Sequence, residues 1–214
     1  MTFDAYEYVG VIVPGALPTL AAALLFPEVH ALLGNEGVDL GGLGLFLIIS
    51  FVAGHLVQAL ANVWEWIEDR AGWGLRTMPF AVDRGGVSDA QWQRFLQLCN
   101  RRLDIPSEGV SRETWPGIRM TIMALLPAGA DRRIEVFNRS YGLCRGISAG
   151  CILTAIATLW VDPGRWGISL LLLGASLVMQ ARKRHFARLY LQELVARAIA
   201  WEASQVAASS NLKP

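Results

Sequence analysis

The stretch "FVAGHLVQALANVWEWIEDR", Phe51–Arg70, decides whether the chain is a soluble helical protein or a membrane protein. Three polar side chains interrupt its apolar run, two tryptophans follow, and a group of charged residues closes it. The run belongs to a window of twenty-five residues without Asp, Glu, Lys or Arg, between Asp39 and Glu65. About 20 helical residues cross a bilayer core, and indole rings prefer the membrane–water boundary. Phe51–Arg70 is therefore predicted to be the exit of a membrane helix.

Three more uncharged windows lie along the chain, at 8–27, 146–161 and 166–181. The first holds twenty residues, whereas the other two hold only sixteen each. The short windows become long enough for a bilayer if Arg145 and Arg182 extend their side chains to the interface. We predict four spanning helices, at 8–26, 41–63, 144–161 and 166–182.

The average composition agrees with a membrane location. The chain is 53% apolar and 17% charged, and its mean hydropathy is +0.37. Soluble domains are roughly 25% charged. A net charge of +1 gives no argument for nucleic-acid binding. The three scattered cysteines form no C-x-x-C pair, so the sequence indicates neither a disulfide framework nor a zinc site.

The basic residues predict the orientation of the spans. Of 19 Lys and Arg residues, twelve lie from Arg70 to Arg145 and six from Arg182 to Lys213, whereas the 27–40 loop has three acids and no base. Basic loops stay in the cytoplasm. We expect a multi-pass protein of the bacterial inner membrane with both termini and the middle segment cytoplasmic. Because the N-terminus lacks the basic region of a cleaved signal peptide, the first helix is expected to remain as an anchor.

The predicted fold class is all-α, with four transmembrane helices, a helical cytoplasmic extension and an inserted cytoplasmic segment. The expected segments are a transmembrane hairpin (1–66), a cytoplasmic helical segment (67–143), a second transmembrane hairpin (144–182) and a cytoplasmic C-terminal helix with a tail (183–214).

The cytoplasmic parts are predicted to contain four helical stretches. "SDAQWQRFLQLCNRRL" predicts a helix that Ser88 caps, with an apolar face of Trp92, Phe95, Leu96 and Cys99. "SRETWPGIRMTIMALLP" predicts a second helix that begins near position 111. The helical period also continues without proline through "DRRIEVFNRSYGLCR" into the third span, and out of the fourth span through "ARKRHFARLYLQELVARAIAWEAS". The third and fourth spans are therefore expected to be parts of two long helices.

His55, Gln58 and Asn62 are spaced i, i+3 and i+7, which places them on one side of a helix. Polar groups at membrane depth are costly and usually turn toward other helices or a water-filled cavity. One interpretation is a pore-lining or proton-sensitive face. The other is interhelical hydrogen bonding that holds a bundle or an oligomer together.

Pro14, Gly15 and Pro18 interrupt the first span. A proline inside a helix frees a backbone carbonyl and kinks the helix, and a glycine lets another helix approach closely. The segment is interpreted either as the hinge of a gate or as a packing kink.

Two basic clusters flank the last two spans. They comprise Arg132, Arg133, Arg139, Arg145, Arg182, Lys183, Arg184 and Arg188. One interpretation is anchoring on anionic membrane lipid. The other is a docking surface for an acidic partner protein or a nucleotide, although the sequence gives no separate support for nucleotide or nucleic-acid binding.

The sequence contains no familiar enzyme signature. It has no G-x-S-x-G, H-E-x-x-H, Walker or G-x-G-x-x-G motif. The predicted spans hold no Ser–His or Asp–Asp pair for proteolysis and no second histidine or carboxylate for a metal site. We therefore expect a protein that is not an enzyme and has no catalytic residues, no cofactor and no metal.

Four motifs carry a resemblance: "YVGVIVPG" at Tyr8–Gly15, "AGHLVQ" at Ala53–Gln58, "FNRSYGLCR" at Phe137–Arg145 and "RHFARLYLQEL" at Arg184–Leu194. With these motifs the chain resembles small four-pass inner-membrane proteins of bacterial antiphage defence systems. The resemblance implies a membrane subunit that works as a sensor or executioner with a soluble, separately encoded partner.

The expected function is that of a homo-oligomeric membrane protein, a sensor or a membrane-perturbing, pore-forming effector. Its expected partners are membrane lipid, further copies of the chain and a soluble cytoplasmic protein. The alternatives are a constitutive small channel or transporter that uses the His55 face, and a structural membrane anchor.

Overall fold

The computed structural model describes residues 5–33, 40–72, 74–127, 129 and 132–210, and the regular secondary structure in this part of the chain is all helical. The α-helices are α1 Ala5–Leu25, α2 Pro27–Leu33, α3 Leu40–Arg70, α4 Asp89–Leu103, α5 Trp115–Leu125, α6 Arg132–Val161 and α7 Trp166–Ser210. The prediction of an all-α fold is confirmed for the described residues.

Three helices are long and apolar enough to cross a membrane, judged by length and composition within the described residues: α1 from Tyr8, α3 and α6. The fourth predicted span, 166–182, forms the first part of α7 but is not among these three. Its uncharged run is only sixteen residues long before Arg182 and Lys183. The described part of the chain thus contains three candidate spans, and the fourth span stays a prediction.

Several helix bounds differ from the predicted ones. Part of the predicted 27–40 loop is helical, because Pro27 can occupy the first position of α2, where a missing N–H has no helical partner to lose. Helix α3 continues past its predicted span to Arg70. Helix α5 begins at Trp115 rather than near position 111, with Pro116 restricted to its first turn. The predicted continuity of α6 and α7 is confirmed, since each is one uninterrupted helix.

The chain divides into two compact units. The first, which we call the apolar unit, consists of Met1–Ile67 and Arg139–Arg184. The second, the polar unit, consists of Glu68–Asn138 and His185–Pro214. Helices α6 and α7 contribute residues to both units.

Direct backbone contact between α1 and α3 organises the apolar unit. Gly15 of α1 lies against the carbonyl of Ser50 and the backbone of Gly54, and Gly54 in turn lies against the carbonyl of Val11. A Cβ atom on either glycine would overlap these atoms, so the approach requires glycine on both helices. Large apolar side chains are exposed on the outside of the unit, among them Leu20, Leu24, Ile48, Leu56, Leu171 and Leu177.

Helix α4 begins the core of the polar unit, and Ser88 caps it as predicted. The Ser88 hydroxyl accepts the backbone N–H of Gln91 at 3.3 Å, and the Gln91 side chain accepts the backbone N–H of Ser88 at 3.1 Å. This capping box satisfies two backbone donors that the first turn would otherwise leave free.

The predicted apolar face of α4 is mostly right. Trp92, Phe95 and Cys99 are buried, but Leu98 is fully buried whereas Leu96 is only partly so. The rings of Trp92 and Phe95 stack with centroids 5.3 Å apart, which orients the face toward the core. Side chains of α5, α6 and α7 complete this core, including Trp115, Ile122, Ile134, Leu191, Leu194 and Ala198.

Candidate functional site

An ion pair joins α3 to α6 inside the apolar unit. The carboxylate of Glu65 contacts the guanidinium of Arg145, and the two side chains are only 18% and 21% exposed. The hydroxyl of Tyr141, one turn before Arg145 on α6, donates to the other carboxylate oxygen of Glu65 at 2.6 Å. Two donors from α6 therefore hold one carboxylate, which fixes the rotation of α6 against α3.

Gln58 extends this network to α1. Its side-chain oxygen accepts from Nη2 of Arg145 at 3.2 Å, and its Nε2 donates to the backbone carbonyl of Gly10 at 3.0 Å. Four residues after Gly10 stands Pro14, which has no N–H to give to that carbonyl. Gln58 therefore supplies the donor that the proline removes, and it ties this point of α1 to the ion pair. We call Gln58, Glu65, Tyr141 and Arg145 the charged network.

Two glycines let α6 approach the same part of α1. Gly146 faces the ring of Pro14 and the amide of Gln58, and Gly150 faces the carbonyl of Pro14. That carbonyl is the one that Pro18 leaves without a helical donor. Pro14 is buried, as is Gly15, and α1 continues through both prolines as one helix. The structure thus places the predicted hinge segment against two neighbouring helices.

The three residues of the predicted polar face have different surroundings. Gln58 is partly buried in the charged network, whereas His55 and Asn62, seven residues apart, are exposed on α3. The imidazole of His55 packs edge-on against Phe51 with ring centroids 4.7 Å apart. Within the part of the chain that the structure describes, neither His55 nor Asn62 has a hydrogen-bond partner for its side chain. Gln58 and Glu65, also seven residues apart on α3, are the side chains that bind neighbouring helices through hydrogen bonds.

The basic residues predicted as a docking surface are also divided. Arg145 belongs to the charged network, and Lys183 is 3% exposed with its Nζ 5.9 Å from the centre of the Tyr141 ring. In the polar unit, Arg188 forms an ion pair with Asp83 at 3.0 Å. Arg139 is partly buried, and the exposed members are Arg132, Arg133, Arg182, Arg184 and Arg188 itself. Two of the eight residues thus lie largely within the apolar unit instead of on its surface.

A second set of charges connects α6 and α7 in the polar unit. The carboxylate of Glu193 lies 2.9 Å from Nε of Arg197 and 3.9 Å from Nε of Arg133. Burial raises the pKa of the Tyr190 phenol, and the guanidinium of Arg119, 5.6 Å from the ring centre, opposes that increase. Glu193 thus contacts α6 through Arg133, and Tyr190 contacts α5 through Arg119, beside the apolar core of the polar unit.

The charged network joins α1, α3 and α6 through its hydrogen bonds. No group of three or more His, Cys, Asp or Glu side chains among the described residues could hold a metal ion. The buried Nε of Arg145 has no hydrogen-bond partner in the same part of the chain. Among the described residues the guanidinium is bound by Glu65 and Gln58, and loss of either contact leaves it poorly compensated.

The charge pattern of the sequence does not pair Glu65 with Arg145. It only places Glu65 at the end of one predicted span and Arg145 at the start of another. A signal for their pairing does exist, because both border the same predicted side of the membrane and so lie at equal depth. Comparison with protein-family models, with curated proteins and with solved structures found no match to this chain.

Proposed function

We propose that the chain is the subunit of a homo-oligomeric, four-pass protein of the bacterial inner membrane, which acts as a sensor or membrane-perturbing effector with a soluble cytoplasmic partner. The observation that carries this proposal is the exposure of His55 and Asn62 on α3, a candidate span. Polar side chains at membrane depth seldom face lipid and usually face protein or water. A neighbouring copy of the chain supplies such a surface.

The charged network suits a protein that is held in one arrangement of its helices until it is activated. Removing one partner of a buried ion pair costs about 3–5 kcal/mol, so the network holds one arrangement firmly until something displaces α3 from α6. Helix α6 supplies Tyr141 and Arg145 to this network and Ile134 to the core of the polar unit. A soluble partner that binds the polar unit would act on the same helix. The setting in antiphage defence is what the sequence resemblance implies.

The exposed polar residues also support a second candidate, a constitutive small channel. In a ring of subunits, His55 and Asn62 could line a water-filled path instead of an interface. The two candidates differ in their resting state: an effector is closed until it is activated, whereas a constitutive channel conducts as purified.

Ion flux from proteoliposomes tests the proposal. We expect low flux for the purified wild type, and higher flux either with cytoplasmic extract or after Glu65→Gln, which weakens the charged network. High flux without extract that changes in His55→Leu would favour the constitutive channel. An absence of flux under every condition would contradict both candidates and leave a structural anchor.

Subunit counting by single-molecule photobleaching in lipid bilayers tests the oligomer. We expect the His55→Leu, Asn62→Leu double variant to dissociate about eightfold more readily, from roughly 0.6 kcal/mol for each interhelical hydrogen bond. Leu56→Met, on the exposed apolar side of the same helix, is the matched control and should give the same number of subunits per oligomer as the wild type. A monomeric wild type would sink the homo-oligomer.

A further inference from the structure

A partly open cleft lies near one end of the apolar unit, away from the charged network. It has a volume of about 170 Å³ and lies between the second half of α1, the end of α6 and the start of α7. Aliphatic side chains dominate its lining, including Leu17 and Leu24 of α1 and Leu172 of α7. Leu17 and Leu24 are seven residues apart, about 10 Å along a helix. That distance matches about two thirds of one leaflet of a hydrocarbon core about 30 Å thick.

One member of an ion pair lines the cleft. Arg165 lines it, and Nε of Arg165 donates to Oδ2 of Asp162 at 2.9 Å. Both side chains are nearly half exposed, and the two terminal nitrogens of Arg165 have no hydrogen-bond partner among the described residues. Trp160 and Trp166, 87% and 63% exposed, flank the pair. Exposed indoles of this kind are typical of the headgroup level of a membrane.

The pair carries one positive and one negative charge at adjacent exposed positions. An ethanolamine phospholipid carries the complementary arrangement, a phosphate and a primary ammonium on one short headgroup. The phosphate can accept from the free nitrogens of Arg165, and the ammonium can donate to Asp162. Choline has no N–H to donate, and a glycerol headgroup has no positive charge for Asp162.

We propose that this cleft binds a phosphatidylethanolamine molecule, with an acyl chain along α1 and the headgroup on Arg165 and Asp162. The inference rests on the membrane location given in the proposed function. It goes beyond that function because it assigns a lipid class and a site that are independent of the charged network and of His55.

Native mass spectrometry of the full chain tests the site. The protein is loaded in mild detergent with phosphatidylethanolamine, phosphatidylcholine or phosphatidylglycerol of identical acyl chains, and the first bound lipid is quantified. We expect the wild type to retain phosphatidylethanolamine about tenfold better than the other two, as one additional charge-assisted hydrogen bond predicts. Equal retention of all three lipids would overturn the proposal.

Variants separate the two halves of the site. Arg165→Gln should lower the retention of all three lipids, whereas Asp162→Asn should lower the retention of phosphatidylethanolamine alone. Ala21→Phe should fill the cleft and lower the retention of every lipid. If this variant loses its helical circular dichroism, Ile168→Trp at the exposed rim is the second cleft-filling variant. Arg94→Gln, an exposed arginine of the polar unit, is the control and should retain lipid as the wild type does. Wild-type retention in both Arg165→Gln and the cleft-filling variant would refute the site.

Failure of the proposed function looks different. Wild-type protein recovered from the soluble fraction of cells would contradict the membrane location itself. Membrane-bound protein that shows no lipid preference would contradict the lipid site alone.

Discussion

Arg145 of α6 and Glu65 of α3, eighty residues apart in the chain, form an ion pair within the apolar unit. The pair is reinforced from both sides, because Tyr141 binds the same carboxylate and Gln58 binds the same guanidinium. Such a pair stabilises only the arrangement of helices in which the two side chains are in contact, since burying either charge without the other costs free energy. The first prediction follows from this mutual dependence.

A double-mutant cycle of Glu65→Gln and Arg145→Met should show strong coupling. We expect a coupling free energy of about 2 kcal/mol, because contacts within one network do not contribute independently and the pair is mostly buried. The measurement is the free energy of unfolding in detergent for the wild type, both single variants and the double variant.

The matched control for this cycle is the ion pair of Arg165 with Asp162, whose side chains are 43% and 45% exposed. Exposed pairs contribute about 0–1 kcal/mol, so the corresponding cycle of Arg165→Met and Asp162→Asn should show little coupling. Equal coupling in the two cycles would mean that burial does not strengthen the Glu65 pair.

The close approach of α1 and α3 makes a prediction about glycine. Gly15→Ala or Gly54→Ala should lower the free energy of unfolding by about 1–3 kcal/mol, because the added methyl group meets backbone and the helices must separate. Gly44→Ala, on the same α3 where nothing lies within 4 Å, should instead raise it by up to about 1 kcal/mol. Thermal unfolding of the three variants in detergent checks the opposite signs.

The helices could be predicted because their causes are local. The end of α6 at Val161 and the start of α7 at Trp166 follow directly from the uncharged windows, and Ser88 identifies the start of α4. The rotation of each helix about its axis has no such local cause. That rotation separates Gln58, which turns inward, from His55 and Asn62, which are exposed although the i, i+3, i+7 spacing groups all three.

The sequence predicts that Glu65 and Arg145 lie at the same depth in the membrane, but it does not predict that they are in contact. Contact depends on which helices are neighbours, and the approach of α6 to α1 depends on Gly146 and Gly150 facing Pro14. Composition and hydropathy patterns do not contain this information. The 27–40 segment illustrates the same limit on a smaller scale, because its first part is helical although its composition is typical of a loop.

The polar unit should lose stability at alkaline pH through Cys99. Burial raises the pKa of this thiol from 9.0 to about 11. Between these values the unfolded chain releases the thiol proton while the folded chain keeps it, so the unfolded state is favoured as the pH rises. The loss should reach about 3 kcal/mol above pH 11, as two pKa units imply.

Denaturant unfolding of the wild type and of Cys99→Ala, followed by the fluorescence of the polar-unit tryptophans, measures this effect. The difference in stability between the two proteins should be constant below pH 9 and should shrink above it. A difference that stays constant up to pH 11 would show that the thiol titrates alike in both states.

The orientation of the chain can be tested by labelling. In a cysteine-free background, Gly164→Cys should react with an impermeant maleimide in intact spheroplasts. Gln93→Cys and Ser204→Cys, both at exposed positions of the polar unit, should react only after lysis. Labelling of Gln93→Cys from outside would reverse the orientation that the arginines predict.

Because Gln58 donates to the carbonyl of Gly10, the cost of replacing Gln58 depends on whether Pro14 has already been replaced. If Gln58 is replaced first by an apolar residue, that carbonyl loses its side-chain donor while Pro14 still provides none. If Pro14 is replaced first by alanine, the helical N–H returns to the Gly10 carbonyl, and a later loss of Gln58 removes only its contact with Arg145. Lineages that lose both residues should therefore pass through the loss of Pro14 first. Replacing Gln58 therefore costs less after the loss of Pro14 than before it, although its contact with Arg145 is lost in either order, and this epistasis of magnitude depends on a single backbone oxygen.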